Sequence, residues 1–459
     1  MKFTRQQIQV LIVLNVVAVV MLVGVFIMPK TTGGGNPGIP IQGEEPKSEE
    51  PQTEPNAVHD KFRDPRIAFD EDIFWETNIG GSGSEIVENA YEINSRLYIF
   101  GNTDSRDLDF DGADGNAYLC VLSENGKPLA YFFYEGELIK SALAESGFFC
   151  LVKSGDEYRA LVIDTNGTVK TQKKLPLGDG ETAHDFIINY ETGIVNIIIA
   201  VETERLPSRR VQILALSRDF EPLEGIVLPS EYPLEYVAAL PREDGYLIAV
   251  NADGGKYDEL ILYEWNVTAG NLYTSHEYPV ENRSYKALNF IPYANGYAAL
   301  IIDENGVADI LTLDYELINP KIILLNESSA VDGNIYCDNK SNYVFLRFAG
   351  GTSKAYKMPL DLSIKTEIAS FATQNEISAF KFTRTDTFFG GSNAFSPVVS
   401  AIDGGGVLHE KSFGSTTEKI KALIPSDRFI FVICESSGVS QTIGKNFGKT
   451  DIVVVKLRY

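Results

Sequence analysis

A strand-start signal recurs from about residue 67 to the end of the chain, and it constrains the fold more than any other feature. An inner strand begins after a turn near Arg96, Gly147, Gly193, Gly245, Gly296, Asn342, Asp386 and Arg428, at intervals of 51, 46, 52, 51, 46, 44 and 42 residues. Four short strands and their turns fill about that length, which is the size of one propeller blade. Between the markers the apolar runs are short and carry no sustained helical period. A second signal keeps the same rhythm. Leu122-Ser-Glu-Asn-Gly126, Ile163-Asp-Thr-Asn-Gly167, Leu216-Ser-Arg-Asp219, Leu313-Asp-Tyr-Glu316 and Ile402-Asp-Gly-Gly405 read as hairpins between the third and fourth strands. Asn-Gly and Gly-Gly supply the positive φ angles of a tight hairpin turn.

The expected fold is all-β: a β-propeller over residues 67–459 with eight four-stranded blades. Seven is the alternative, because the stretch 328–370 is irregular. Ala90–Ser105 aligns without gaps on Ala422–Ser437, so the first and last blades are the clearest copies. The last repeat ends one strand short at Tyr459, and the strand over 72–79 precedes a complete blade. That strand is expected to complete the last blade and close the ring, removing two exposed sheet edges.

The N-terminal region reads differently. Val10 to Met28 is a run of 19 residues with one polar interruption, Asn15. At 1.5 Å per residue it approaches the ~30 Å hydrocarbon core of a membrane. The expected organisation is a cytoplasmic tail over 1–7, a transmembrane helix over 8–28 and a Pro/Glu/Gly-rich linker over 29–66. Lys2 and Arg5 before the helix favour the N-terminus inside and the large domain outside. A cleaved signal peptide is the rival, but its apolar region is shorter and ends in a small-residue cleavage site, which this run lacks. The expected location is therefore the cell membrane, crossed once, with the C-terminal domain outside the cytoplasm.

Composition narrows the partners. The formal net charge is −23, which repels nucleic-acid phosphates and argues against DNA or RNA. Cys120, Cys150, Cys337 and Cys434 form no CxxC pair and sit in apolar strand-like runs, the setting of buried thiols. A Cys120–Cys150 disulfide stays open if neighbouring blades bring the two together. His59, His184, His276 and His409 are scattered, with no zinc spacing. Trp75 and Trp265 lie in strand-like runs, so packing is a better reading than sugar stacking.

Asp107-Leu-Asp109-Phe-Asp111-Gly112 is the sharpest local motif. Carboxylates at alternate positions before a glycine resemble the start of a calcium loop. The twelfth position is Tyr118, where such a loop needs a bidentate Glu. Asp107, Asp109 and Asp111 are thus the candidate metal residues, with an ordinary solvated loop as the competing reading. No cofactor other than calcium and no catalytic residue is expected.

Several segments resemble one unit of the bacterial extracellular β-propeller repeat proteins. These are Ile73-Phe-Trp75-Glu-Thr-Asn-Ile-Gly-Gly-Ser-Gly83, Leu97-Tyr-Ile-Phe-Gly-Asn-Thr-Asp-Ser105 and Tyr118-Leu-Cys-Val-Leu-Ser-Glu-Asn-Gly126. The C-terminal Asp451-Ile-Val-Val-Val-Lys-Leu457 is similar to the unit's closing strand. The likeness covers the first and last blades; the middle ones share strand rhythm only. It implies a propeller outside the cytoplasm and brings no catalytic residues. The function expected is a non-catalytic binding or scaffold module for a protein or glycan. A propeller enzyme acting on a carbohydrate or envelope polymer, and a calcium-stabilised structural domain, are the alternatives.

Overall fold

The computed structural model describes residues 73–458 apart from 190–194, 203–208, 218–219, 224, 243–244, 254–257, 267–270, 280–282, 339, 372–378, 383–385, 393–395, 403–407, 415–417, 427–428 and 439–445. The expected tail 1–7, helix 8–28 and linker 29–66 lie outside the described residues. Among the described residues no helix is long and apolar enough to cross a membrane.

The described strands form eight four-stranded antiparallel sheets. In chain order the sheets span 85–134, 137–174, 181–227, 234–278, 285–327, 330–371 and 379–412. The eighth combines Glu418–Ser426, Phe429–Ser436 and Asp451–Arg458 with Ile73–Ile79. We call them blades 1 to 8. The stretch 328–370, irregular in sequence, holds four strands of ordinary length.

Both faces of a blade are covered, so its central strands are apolar throughout instead of alternating. Every residue of Gly245–Ala252 is buried. Tyr246, Ile248 and Val250 pack toward blade 3, and Leu247 and Ala249 pack toward blade 5. The same division runs round the ring, giving eight apolar clusters, one at each junction between neighbouring blades. The cluster between blades 8 and 1 joins Trp75, Phe431, Ile433 and Val454 to Leu97, Ile99, Tyr118 and Cys120.

The first strand of each blade lies at one edge of its sheet, and at most junctions it packs on the first strand of the neighbouring blade, so these strands surround the axis. The markers near Arg96, Gly147 and Gly245 therefore begin the second strand of each blade, not the innermost one. The copy in the end blades also sits one residue later than the gap-free alignment of 90 on 422. Ile93 pairs with Arg96, and Ser426 pairs with Phe429, at the equivalent hairpin ends. Leu97 thus corresponds to Ile430, each facing the preceding blade. A slip of one residue exchanges the two faces of a strand; the alternation of faces fixes the register that residue identity left one place off.

Seven of the first strands carry an irregularity after their first, second or third residue. It falls at Glu88, Ile139, His184, Val237, Leu288, Val331 and Lys421. Bulges of this kind bend a strand and increase its twist. Side chains staple neighbouring blades just before some of these bulges. Asn102 donates to Leu138 O at 2.9 Å and accepts from Leu138 N at 2.7 Å. Asn251 makes the same pair with Ala287 O and N, at 2.9 and 2.8 Å. At the junction of blades 8 and 1, Glu435 accepts from Val87 N at 2.8 Å.

Ring closure joins the two ends of the domain. Trp75 to Ile79 pair antiparallel with Lys456 to Ile452, which makes Ile73–Ile79 the outermost strand of blade 8. Three side chains of that blade then grip the hairpin turn of blade 1. Trp75 Nε1 and Lys456 Nζ both donate to Glu124 O, at 3.1 and 3.3 Å. Thr77 Oγ1 donates to Gly126 O at 2.7 Å. The Lys456 ammonium sits among the rings of Phe429, Phe431 and Phe74, at 4.5, 5.1 and 5.4 Å from their centroids. Gly126 adopts φ +77°, and a Cβ there would lie 2.5 Å from the Trp75 ring, so the turn needs glycine for both reasons.

Candidate functional site

The longest described connection on the loop face opposite these hairpin turns follows the second strand of blade 1 and contains Asp107, Asp109 and Asp111. It folds against the Gly80–Ser84 loop, which links the closing strand to blade 1. That loop presents five successive N–H groups, and each finds a side-chain oxygen. Gly80 N donates to Asp109 Oδ2 at 3.0 Å, and Gly81 N to Glu85 Oε2 at 3.3 Å. Ser82 N donates to Asp107 Oδ1 at 2.8 Å, and Gly83 N to Ser105 Oγ at 2.7 Å. Ser84 N donates to Asp104 Oδ1. Buried backbone donors need such partners.

Asp107 and Asp109 are therefore brought together on one loop as acceptors, with Asp109 fully buried in a short 3-10 turn. Asp111 follows that turn and is exposed. The three carboxylates do not converge on a common point: no group of three or more His, Cys, Asp or Glu side chains among the described residues is placed to hold a metal ion.

Glu85 and Asp451 complete this junction, and neither was singled out from the sequence. Both are fully buried. Glu85 Oε1 accepts from Thr103 Oγ1 at 3.0 Å and from Ser105 Oγ at 2.5 Å. Asp451 Oδ2 accepts from Asn78 Nδ2 at 3.1 Å and from Phe447 N at 2.8 Å. Burial pushes the Glu85 carboxyl up to about 7; its three hydrogen bonds oppose that rise and the Asp451 charge adds to it. A repeat signal was present in the sequence. Glu418 opens blade 8 as Glu85 opens blade 1, and Glu418 accepts from Ser436 as Glu85 accepts from Thr103. Glu181 does the same for blade 3, taking Gly178 N at 2.7 Å.

The axial strands carry a second polar set, paired across blade boundaries. Lys140 of blade 2 forms an ion pair with Asp185 of blade 3, and Tyr236 of blade 4 donates to Asp185 at 3.2 Å. Tyr91 of blade 1 donates to Ser141 O of blade 2 at 2.8 Å. Asn289 of blade 5 donates to Ile335 O of blade 6 at 2.8 Å. Lys286 of blade 5 pairs with Glu235 of blade 4 at 3.1 Å, while Arg347 on the second strand of blade 6 pairs with Asp332 inside the same blade at 3.1 Å. Beside Lys421 and Glu435, burial raises the Glu88 carboxyl, while the Lys421 charge opposes that rise.

The remaining candidates have structural placements. All four cysteines are free thiols. Cys120 faces the junction of blades 8 and 1, and Cys150 that of blades 1 and 2, so the disulfide left open by the sequence does not form. Burial raises both the Cys150 and Cys434 thiols. Trp75 and Trp265 are each 3% exposed and serve as packing, not as platforms.

No family model matches the sequence. No curated protein matches it either. Among solved structures the chain is similar to the propeller of Dos1, with a TM-score of 0.50 and 10% identity over 83% of this chain and 94% of that one. It also aligns with prolyl oligopeptidase B from Galerina marginata, at TM-score 0.46 and 13% identity. That match covers 78% of this chain and 56% of the peptidase, so the chain spans about half of that protein. BamB from Moraxella catarrhalis aligns at TM-score 0.36 and 13% identity, over 70% of this chain and 96% of BamB. The sheets, their closed order and the likeness to the Dos1 propeller define the class: the chain is a β-propeller protein.

Proposed function

We propose that this propeller is a non-catalytic binding or scaffold module, held outside the cytoplasm by the apolar helix over 8–28, with 1–7 inside and 29–66 as a stalk. The observation that carries the reading is the engagement of its polar groups. Asp185, Glu235 and Asp332 on the axial strands, and Glu435 on the second strand of blade 8, are each held by a basic or hydrogen-bonding side chain or by backbone N–H. Glu85, the carboxyl raised to about 7, is enclosed and bonded to its own loop. Asp185, Glu235 and Glu435 bind blade to blade, and a ring of this kind displays its loops for recognition. The partner is a protein or a glycan. A net charge of −23 keeps nucleic acid off the surface.

The test is membrane-impermeant biotinylation of intact cells producing the full chain, followed by alkaline carbonate washing of the membranes. Labelling of lysines within 73–458 in intact cells, with the chain retained after washing, supports the reading. Labelling only after lysis, or release by carbonate, overturns it.

A further inference from the structure

The face that carries the hairpin turns holds a polar and aromatic cluster where blades 4 and 5 meet, away from the closure junction. Arg242 ends the first strand of blade 4. Its Nη1 donates to Glu264 Oε2 at 2.6 Å, and its Nη2 donates to Tyr315 O at 3.2 Å in the turn of blade 5. Glu264 Oε1 lies 2.9 Å from His276 Nε2. The guanidinium carbon stands 5.9 Å from the centroid of Tyr297. Arg242, Glu264 and His276 are each a quarter to a third exposed. They are fixed in place yet open to solvent.

Tyr315 stands at the edge of this cluster, 51% exposed. Its ring meets Tyr297 edge to face at 5.8 Å, and its hydroxyl donates to Tyr293 O at 3.3 Å. The turn beneath it is rigid. Asp314 Oδ1 accepts from Ile318 N at 2.9 Å, and Tyr278 of blade 4 donates to Leu317 O at 2.9 Å. A half-exposed aromatic ring is thus held by Tyr297 and by its own hydroxyl, next to the Arg242 guanidinium that links it to Glu264 and His276.

We propose that this cluster is a binding site for a neutral glycan. An exposed, immobilised aromatic ring offers a stacking surface for the apolar face of a pyranose. Planar charged side chains beside it meet adjacent hydroxyl groups, and the guanidinium carries more N–H donors than the two contacts above use. The charge favours a neutral ligand over an acidic one. Glu264 balances Arg242 within the cluster, and the chain's net charge of −23 repels polyanions. The inference rests on the binding-module reading and names its ligand class.

The experiment is retention of the full-length chain, in detergent micelles, on insoluble cellulose, chitin, xylan and mannan, with alginate gel as the acidic control. Calorimetry with the soluble hexasaccharide of any polysaccharide that retains it follows. Retention is expected on at least one neutral polysaccharide. Tyr315→Ala is expected to weaken binding at least tenfold at an unchanged melting temperature, Arg242→Gln to weaken it severalfold, and Tyr315→Phe to keep it. No retention on any neutral polysaccharide, retention on alginate alone, or equal binding by Tyr315→Ala overturns the proposal. Surface biotinylation reads separately: a chain that is labelled outside the cell and binds none of these polysaccharides loses the glycan site and keeps the binding-module reading.

Discussion

Trp75 and Glu124 are 49 residues apart and lie on opposite sides of the seam where the ring closes, joined by a 3.1 Å hydrogen bond from Trp75 Nε1 to Glu124 O. The indole also covers Gly126, and it packs in the same cluster as Phe431. One side chain thereby ties the first strand of the domain to the last strand and to the first blade.

Trp75→Ala is expected to destabilise the domain by about 3–5 kcal/mol, the usual range for losing a buried Trp side chain. Trp75→Phe keeps most of the packing and removes the Nε1 donor, while Lys456 still donates to Glu124 O. Its expected cost is about 1 kcal/mol. Urea unfolding of both variants measures the difference.

Deleting residues 73–79 exposes the whole outer edge of Asp451–Arg458, which is otherwise covered by Ile73–Ile79. Open sheet edges recruit other strands. The expected outcome is a lower melting temperature together with self-association. Thermal unfolding and size-exclusion chromatography with light scattering check it, and a monomer with the parent melting temperature contradicts the closure role.

Glu85 sets a specific pH dependence. Its folded carboxyl titrates at about 7 against an ordinary 4.5, so between those values the folded state binds more protons than the unfolded one. Its contribution is fully present below pH 4.5 and is lost as pH rises through 7, an effect of about 3 kcal/mol at most. Glu85→Gln is expected to flatten the pH dependence of stability between about 4.5 and 7 relative to the parent. Equal pH profiles for the two proteins contradict the assignment.

Asp109 separates backbone capping from metal binding. Asp109→Ala removes the acceptor of the buried Gly80 N–H, a loss of about 1–3 kcal/mol. The lowering of the melting temperature is expected to be the same in EDTA and in millimolar calcium, and the parent is expected to show no calcium-dependent shift. A rise with calcium that disappears in Asp109→Ala would support the metal reading of the loop.

Parts of this architecture were legible in the residues. The Asn-Gly turns ending at Gly126 and Gly167 mark hairpins because only residues tolerant of positive φ fit them, and both glycines adopt it. Less legible were the polar contacts. Glu85, Asp451 and Asp109 are separated by up to several hundred positions, and their meeting depends on ring closure. Arg242, Glu264, His276 and Tyr315 belong to two blades, and each alone reads as an ordinary strand or turn residue.

Strand rhythm, the hairpin turns and the buried character of the central strands were readable from the residues alone. These follow from local φ preferences and from apolar runs that need cover on both faces. Packing in three dimensions set the register between the end blades, the hydrogen bonds of the Asp107–Asp111 loop to Gly80 and Ser82, and the cluster where blades 4 and 5 meet. Each depends on which face of a strand meets which neighbour, and that is set by the packing of whole blades around the axis. An aspartate that reads as a metal ligand in one dimension becomes, once the ring is closed, an acceptor for a glycine N–H 29 residues away.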